Sequence, residues 1–143
     1  MKLLDVSVLV RLAEPSVTDA VRPLLERGQV ATCGTVDLQL YAGMPGTLLA
    51  RLAQARNASF AWLETIDADM RTAVATQREL IGQGLDGRCA PALVVAAIAA
   101  RHAVPILHYD ARFDDIAKIT GQPAEWVVPA GSLNPEPEAG SDR

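Results

Sequence analysis

Short apolar runs alternate along this chain with longer segments whose apolar residues recur three and four positions apart. Residues 3–7 predict a first strand, and 29–33 a second. Between them Ser16 caps a predicted helix to about Arg27, with Val17, Ala20, Val21, Leu24 and Leu25 on one face and Gly28 at its end. Thr35 caps a third segment, helical through Val36, Leu38 and Leu40 to Tyr41, and Gly43-Met44-Pro45-Gly46 breaks it. Residues 47–57 predict a helix with Leu48, Leu49, Leu52 and Ala53 on one face, and 62–66 a short strand. Asp67 caps a helix to about Ile81, after which Gly82, Gly84 and Gly87 mark a loop. Pro91 opens an apolar helix to Arg101, as proline suits a first helical turn. A buried strand over 104–109, a helix over 110–120 closing on Gly121, and a strand over 124–128 complete the pattern.

Strands separated by helices imply crossover connections and a central, mostly parallel sheet flanked by helices, a three-layer α/β/α arrangement. With 143 residues the chain suits one core. The domain is expected over 1–131, with a disordered tail rich in Pro, Gly and acids over 132–143. No internal repeat is visible.

Half of the residues are apolar but only 4% are aromatic, so the core must be built from Ala, Val, Leu and Ile. The net charge of −4 argues against a dedicated nucleic-acid coat, which would carry a basic stripe. It leaves room for a nuclease, whose contacts to phosphate can be a few arginines. The apolar stretch over 90–100 stops at Arg101-His102, short of the ~18 residues of a membrane span, and reads as a buried helix. The opening lacks the pattern of a secretory leader. A cytoplasmic protein with no membrane association is expected, and in that setting Cys33 and Cys89 read as buried and reduced.

The candidate chemistry lies at two strand ends. Asp5 closes the first strand and Asp110 the late one, and acids at the carboxyl ends of strands in an open α/β sheet face the crevice used for binding. If they converge, they suit a hard cation such as Mg²⁺ or Mn²⁺. Ser7, two residues beyond Asp5, reads equally as a hydrogen-bond donor to that carboxylate or as a helix-cap hydroxyl. His108 reads as packing beside the sheet and His102 as a charge at a helix C-terminus. No Walker, dinucleotide or His-Glu-x-x-His motif is present.

Several segments in order resemble a known family. Leu4-Asp5-Val6-Ser7 opens the chain, and the run from Thr32 to Leu40 follows the second strand. Ala92-Leu93-Val94-Val95-Ala96-Ala97-Ile98-Ala99 forms the apolar helix. The run from His108 through Asp110, Phe113 and Asp115 to Ala117 comes next, then Thr120-Gly121-Gln122-Pro123 and Glu125-Trp126-Val127. Over about 1–131 the chain resembles a PIN domain of the VapC type, the toxin of a bacterial toxin–antitoxin pair. The resemblance implies a PIN-like fold and a cytoplasmic endoribonuclease that cuts tRNA, rRNA or mRNA with Mg²⁺ or Mn²⁺. It also implies a VapB-like antitoxin as partner and a homodimer. The antitoxin is expected over the site and on the apolar helices around 17–25 and 48–52.

The resemblance also exposes a departure. The family pattern has four acids, of which Asp5 and Asp110 are present. The glutamate expected after the second strand is Gln39, and the aspartate expected at the head of the apolar helix is Ala92. A divalent cation wants several charged oxygens, so affinity for it must fall. Gln39 still offers a carbonyl oxygen and Ala92 offers nothing. Asp114, one helical turn beyond Asp110, is the candidate supplementary ligand or else an exposed helix charge, whereas Asp37 should face away from Gln39. Arg11, Arg88 and Arg112 are candidates to hold RNA phosphates or to form surface ion pairs, with Arg112 best placed. Two readings stand: a metal-dependent endoribonuclease weakened by the two replacements, and a degenerate PIN-fold protein that binds an antitoxin or RNA without cutting. A phospho-receiver domain would need an acidic pair, a mid-sheet aspartate and a late lysine that this chain lacks.

Overall fold

The computed structural model describes residues 1–133. Its elements run β1 (Lys2–Leu4), α1 (Val6–Leu9), α2 (Pro15–Glu26), β2 (Val30–Cys33), α3 (Gly34–Tyr41), α4 (Gly46–Ser59), β3 (Ala61–Leu63), α5 (Asp67–Gly82), α6 (Ala90–Arg101), β4 (Ile106–His108), α7 (Arg112–Thr120) and β5 (Ala124–Trp126). The strands form one sheet in the order β3-β2-β1-β4-β5. Every neighbouring pair is parallel, with Leu3 opposite Ala31 on one side and Ile106 on the other. The predicted α/β fold with a parallel sheet and flanking helices is therefore the observed one.

This strand order fixes where a site can form. From β1 the chain builds outward through β2 to β3, then returns to the other side of β1 to add β4 and β5. The direction of winding reverses between β1 and β4, and the helices diverge from the carboxyl ends of those two strands. The crevice left there is the general binding place of open α/β sheets.

The core is aliphatic, as the low aromatic content requires. Leu3, Leu4, Val30 and Ile106 on the central strands have no exposed surface. Helix α6 is buried on nearly all sides from Ala92 to Ala99 and packs against α3, α5 and α7. Its alanines let those neighbours approach closely, while Leu93, Val95 and Ile98 each contribute roughly 1.5–3 kcal/mol by leaving water.

Several boundaries differ from expectation for identifiable reasons. The first strand stops at Leu4, because the Asp5 side chain accepts the Ser7 N–H and starts the short helix α1. A segment as short as Leu3-Leu4-Asp5-Val6-Ser7 does not distinguish a strand from a helical turn by its pattern. Helix α2 starts at Pro15 with Glu14 as its cap, ahead of Ser16. Helix α3 starts directly after Cys33, with no role for Thr35 as its cap. In α5, Asp69 and not Asp67 serves the N-terminus, reaching back to accept the Ile66 N–H at 2.9 Å. Leu38 points outward at 76% exposure, while Val36 and Asp37 face inward. Of the expected α2 face, Val17 and Val21 are buried but Ala20 and Leu25 are exposed.

Gly121 ends α7 in the left-handed conformation, φ 71°, as expected of a helix-terminating glycine. The predicted tail over 132–143 lies outside the described residues except for its first two. Of those, Leu133 donates its N–H to the Tyr109 hydroxyl at 3.1 Å. Among the described residues no helix is long and apolar enough to cross a membrane.

Candidate active site

At the β1–β4 crevice lies a cavity of about 440 Å³. It is lined by Asp5, Val6, Ser7, Val10, Arg11, Gln39, Pro91, Ala92, Tyr109, Asp110, Ala111 and Arg112. The strand-end aspartates thus meet, and both replaced positions, Gln39 and Ala92, open onto the same space. Ser7, Arg11 and Arg112 line it as well.

The two strand ends are tied together by one hydroxyl. Ser7 donates its backbone N–H and its Oγ–H to Asp5 Oδ2, at 3.0 and 2.5 Å. The same Ser7 Oγ accepts the Tyr109 N–H at 2.9 Å. Asp5 also donates its backbone N–H to the Leu107 carbonyl at 3.0 Å, continuing the β1–β4 ladder past the last paired residue. Of the two readings of Ser7, the hydrogen bond to Asp5 is the observed one: its hydroxyl orients Asp5, while the cap of α1 is the Asp5 carboxylate and not the Ser7 hydroxyl.

The two carboxyl groups live in different surroundings. Asp5 is 4% exposed, and its burial pushes its pKa up against the Ser7 hydrogen bonds that favour the anion. Burial also raises Asp110, but there the hydrogen bonds and charge of Arg112 prevail and hold it below the usual carboxylate range. Arg112 Nε lies 3.1 and 3.0 Å from the two Asp110 oxygens, and Nη2 lies 2.6 Å from Oδ2. The Arg112 backbone N–H adds a further bond of 3.0 Å to Oδ1. This is a two-pronged, charge-assisted grip of the kind planar guanidinium makes on carboxylate or phosphate.

Arg11 enters the cavity from just beyond α1. Its Nη1 donates to the Ser7 carbonyl at 2.7 Å, and its Cζ lies 4.8 Å from the centre of the Tyr109 ring. Tyr109 stands edge-on to Trp126 at 5.4 Å, and His108 packs 5.0 Å from both Phe113 and Trp126. His108 is fully buried beside the sheet, as expected, and burial lowers its pKa. Its Nδ1 accepts the Asp110 N–H at 3.1 Å, so it supports the backbone that carries Asp110.

Other expected residues lie elsewhere. Asp114 does not line the cavity. Its two oxygens accept from Trp126 Nε1 at 3.2 Å each, because the turn from Asp110 into α7 directs it toward β5. That placement corrects the expectation that it shares a face with Asp110. Arg88 is exposed, pairs with Asp86 at 3.1 Å and does not line the cavity. Asp37 faces inward and pairs with Arg56. Cys33 and Cys89 are buried and unbridged. His102 caps the C-terminus of α6. Tyr109 is a site residue that the sequence reading does not single out; its position directly before a strand-end acid is the available signal.

The donor set does not suit a tight divalent-cation centre. Among the described residues no three His, Cys, Asp or Glu side chains gather closely enough to hold a metal ion. Asp110 has both oxygens on Arg112, Gln39 supplies only a neutral oxygen, and Ala92 supplies none. The expected Mg²⁺ or Mn²⁺ therefore lacks the charged oxygens that would replace its water shell.

Comparison with known proteins settles the family. Ribonuclease VapC51 of Mycobacterium tuberculosis is 43% identical over 133 residues, spanning 92% of this chain and 96% of that protein. The chain belongs to the VapC family. Ribonuclease VapC21 of the same species is 36% identical over 132 residues, spanning 91% of this chain and 96% of its own. A solved structure of VapBC2 from Rickettsia felis, bound to a DNA fragment from its promoter, superposes with a TM-score of 0.68. It covers 87% of this chain and 97% of its own at 11% identity, a likeness of fold. No family model matches the chain. The PIN-domain, VapC-type resemblance read from the residues is thereby borne out.

Proposed function

We propose that this VapC-family chain is the RNA-directed toxin of a type II toxin–antitoxin module, with its endoribonuclease reaction impaired. The observation that carries this reading is the composition of one cavity. It keeps Asp5 and Asp110 at the β1–β4 switch point, presents Arg11 and Arg112 to a phosphate backbone, and offers Gln39 and Ala92 where the family resemblance expects acids. RNA is the substrate class that a VapC-family name supports, and guanidinium groups in a crevice suit its phosphodiesters.

Each residue has a separable role. Arg11 and Arg112 bind phosphate. Ser7 orients Asp5 and couples it to the β4 end through the Tyr109 N–H. Asp110, ionised at neutral pH, is the group able to accept a proton from an attacking water once Arg112 lets go of it. Hydrolysis is slow because, beyond the guanidinium groups of Arg11 and Arg112, the cavity lacks the acids that would hold a divalent cation against the phosphoryl group.

A cognate antitoxin of the VapB type fits an apolar groove of about 200 Å³ lined by Leu9, Leu12, Val21, Leu25, Leu52 and Phe60, between α1, α2 and α4. Its position matches the helices expected to carry the antitoxin. Residence in the cytoplasm, where RNA is found, and assembly as a homodimer belong to the same reading.

The test is cleavage of end-labelled total tRNA and rRNA by the wild type and by Gln39→Glu/Ala92→Asp, in Mn²⁺, Mg²⁺ or EDTA. The double variant, with two more carboxylates, should cut at least about a hundredfold faster in metal, close to 2.7 kcal/mol of barrier. Equal rates for the two proteins would show that the reaction is not impaired.

A further inference from the structure

We propose that Arg112 is the resident cation of this cavity: its guanidinium, without any divalent metal, receives the phosphodiester of a bound RNA strand. The inference rests on the RNA-directed reading above and adds to it what holds the phosphate.

The charge balance of the cavity is the first argument. Among the described residues, its walls with a formal charge are Asp5 and Asp110 against Arg11 and Arg112. Glutamate at 39 and aspartate at 92 would leave an excess of two negative charges, and a polyanion could enter only behind a metal. With Gln39 and Ala92 the formal charges cancel, so a phosphodiester meets no net repulsion. The same replacements that remove metal oxygens also remove the barrier to direct phosphate binding.

Geometry supplies the second argument. Arg112 holds Asp110 through Nε and Nη2, which is the arrangement a guanidinium uses on phosphate oxygens. Its Nη1 has no hydrogen-bond partner among the described residues, and the side chain is 54% exposed, so an incoming oxygen can reach it. Asp110 accordingly acts as a stand-in for phosphate. A strand entering the cavity exchanges with it, one planar pair of oxygens for another. Exchange is feasible because the Arg112 end of the pair is half-exposed and a solvent-reachable pair is only weakly stabilising. Arg11 lines the same cavity, held by the Ser7 carbonyl and seated on Tyr109.

The cavity is therefore a site for an RNA phosphodiester that functions in the absence of metal. The experiment is fluorescence anisotropy of the full chain with a labelled single-stranded RNA, in EDTA and in Mn²⁺, for wild type, Arg112→Ala and Asp110→Asn. Circular dichroism and melting confirm that each variant is folded. Wild type should bind in EDTA with an affinity within about twofold of that in Mn²⁺. Arg112→Ala should weaken binding in EDTA about tenfold, the loss of one charge-assisted contact. Asp110→Asn should tighten it about threefold, since it frees Arg112 and removes a negative charge.

The Asp110 variant decides the matter even if Arg112→Ala folds poorly, because a metal-held RNA would lose affinity when a ligand to the metal is removed. Binding that appears only with Mn²⁺, or an unchanged affinity in Arg112→Ala, overturns the inference and leaves the RNA-directed reading intact. Absence of RNA binding in both media overturns both.

Discussion

Two aspartate–arginine pairs in this molecule have the same chemistry and opposite consequences. Asp37 and Arg56 meet inside the protein, where Arg56 is 4% exposed. Its Nη2 reaches Asp37 Oδ1 at 2.5 Å and Thr32 Oγ1 at 2.7 Å, and its Cζ lies 4.4 Å from the Phe60 ring centre. Asp110 and Arg112 meet at the mouth of the cavity, two residues apart in sequence and with the guanidinium open to water. The first pair pins α4 to α3 and β2, and it cannot be opened without leaving a charge in a low-dielectric interior. The second pair can open at little cost, because water or another anion takes the vacated donors. Burial, and not the identity of the partners, separates a structural lock from an exchangeable contact.

Breaking the buried pair should have the largest effect. Asp37→Ala leaves Arg56 uncompensated, with its Nε already lacking a partner, and should cost about 3–5 kcal/mol in urea denaturation. The expected signature is a lower denaturation midpoint with an unchanged slope. A loss below about 1 kcal/mol would mean that the interior pair is not a lock.

A third pair lies between these limits. Asp69 is buried, accepts from Arg101 at 2.8 and 3.0 Å, and also takes the Ile66 N–H at the start of α5. Asp69→Asn should cost about 2 kcal/mol at neutral pH, a hydrogen bond to a charged group. Arg101 holds the Asp69 carboxyl below the usual carboxylate range. The folded state therefore binds this proton less readily than the unfolded state. Its contribution is complete above the ordinary aspartate pKa of about 4 and is lost as pH falls through the lower folded value. Melting of the two proteins should differ at pH 7 and converge in strong acid; a constant difference would rule out the ion pair as the cause.

Asp110→Asn should change global stability least, by less than about 0.5 kcal/mol, while altering RNA affinity. Thermal melting checks this directly. A large destabilisation would place Asp110 with the structural locks and remove the contrast.

The sheet and the site are legible from the sequence to different depths. The strand cores around Leu4, Val30 and Ile106 are plain, since continuous aliphatic runs bounded by glycine and polar residues have few other solutions. Asp5 and Asp110 can be placed at strand ends, and the observed strand order brings those ends together. The inward turn of Asp37 is not legible, because its partner Arg56 lies nineteen positions away on a helix whose apolar pattern points elsewhere. Leu38 reads as inward by its hydropathy and is outward by the helix rotation that Val36 and Asp37 dictate. Asp114 looks equivalent to a residue one turn from Asp110, but α7 begins only at Arg112, so helical spacing does not relate the two. The grip of Arg112 on Asp110 depends on that same helix start. Spacing alone predicts that Arg112 lies close to the site, not that it holds the acid.

The central claim is that this VapC-family cavity has exchanged a metal's charge for an arginine's. It is tested most directly by isothermal titration of Mn²⁺ into the wild type and into Arg112→Ala/Gln39→Glu/Ala92→Asp. The wild type should give no saturable heat, and the triple variant should take up one saturable Mn²⁺ per chain. A wild type that takes up Mn²⁺ as tightly as the triple variant would contradict it.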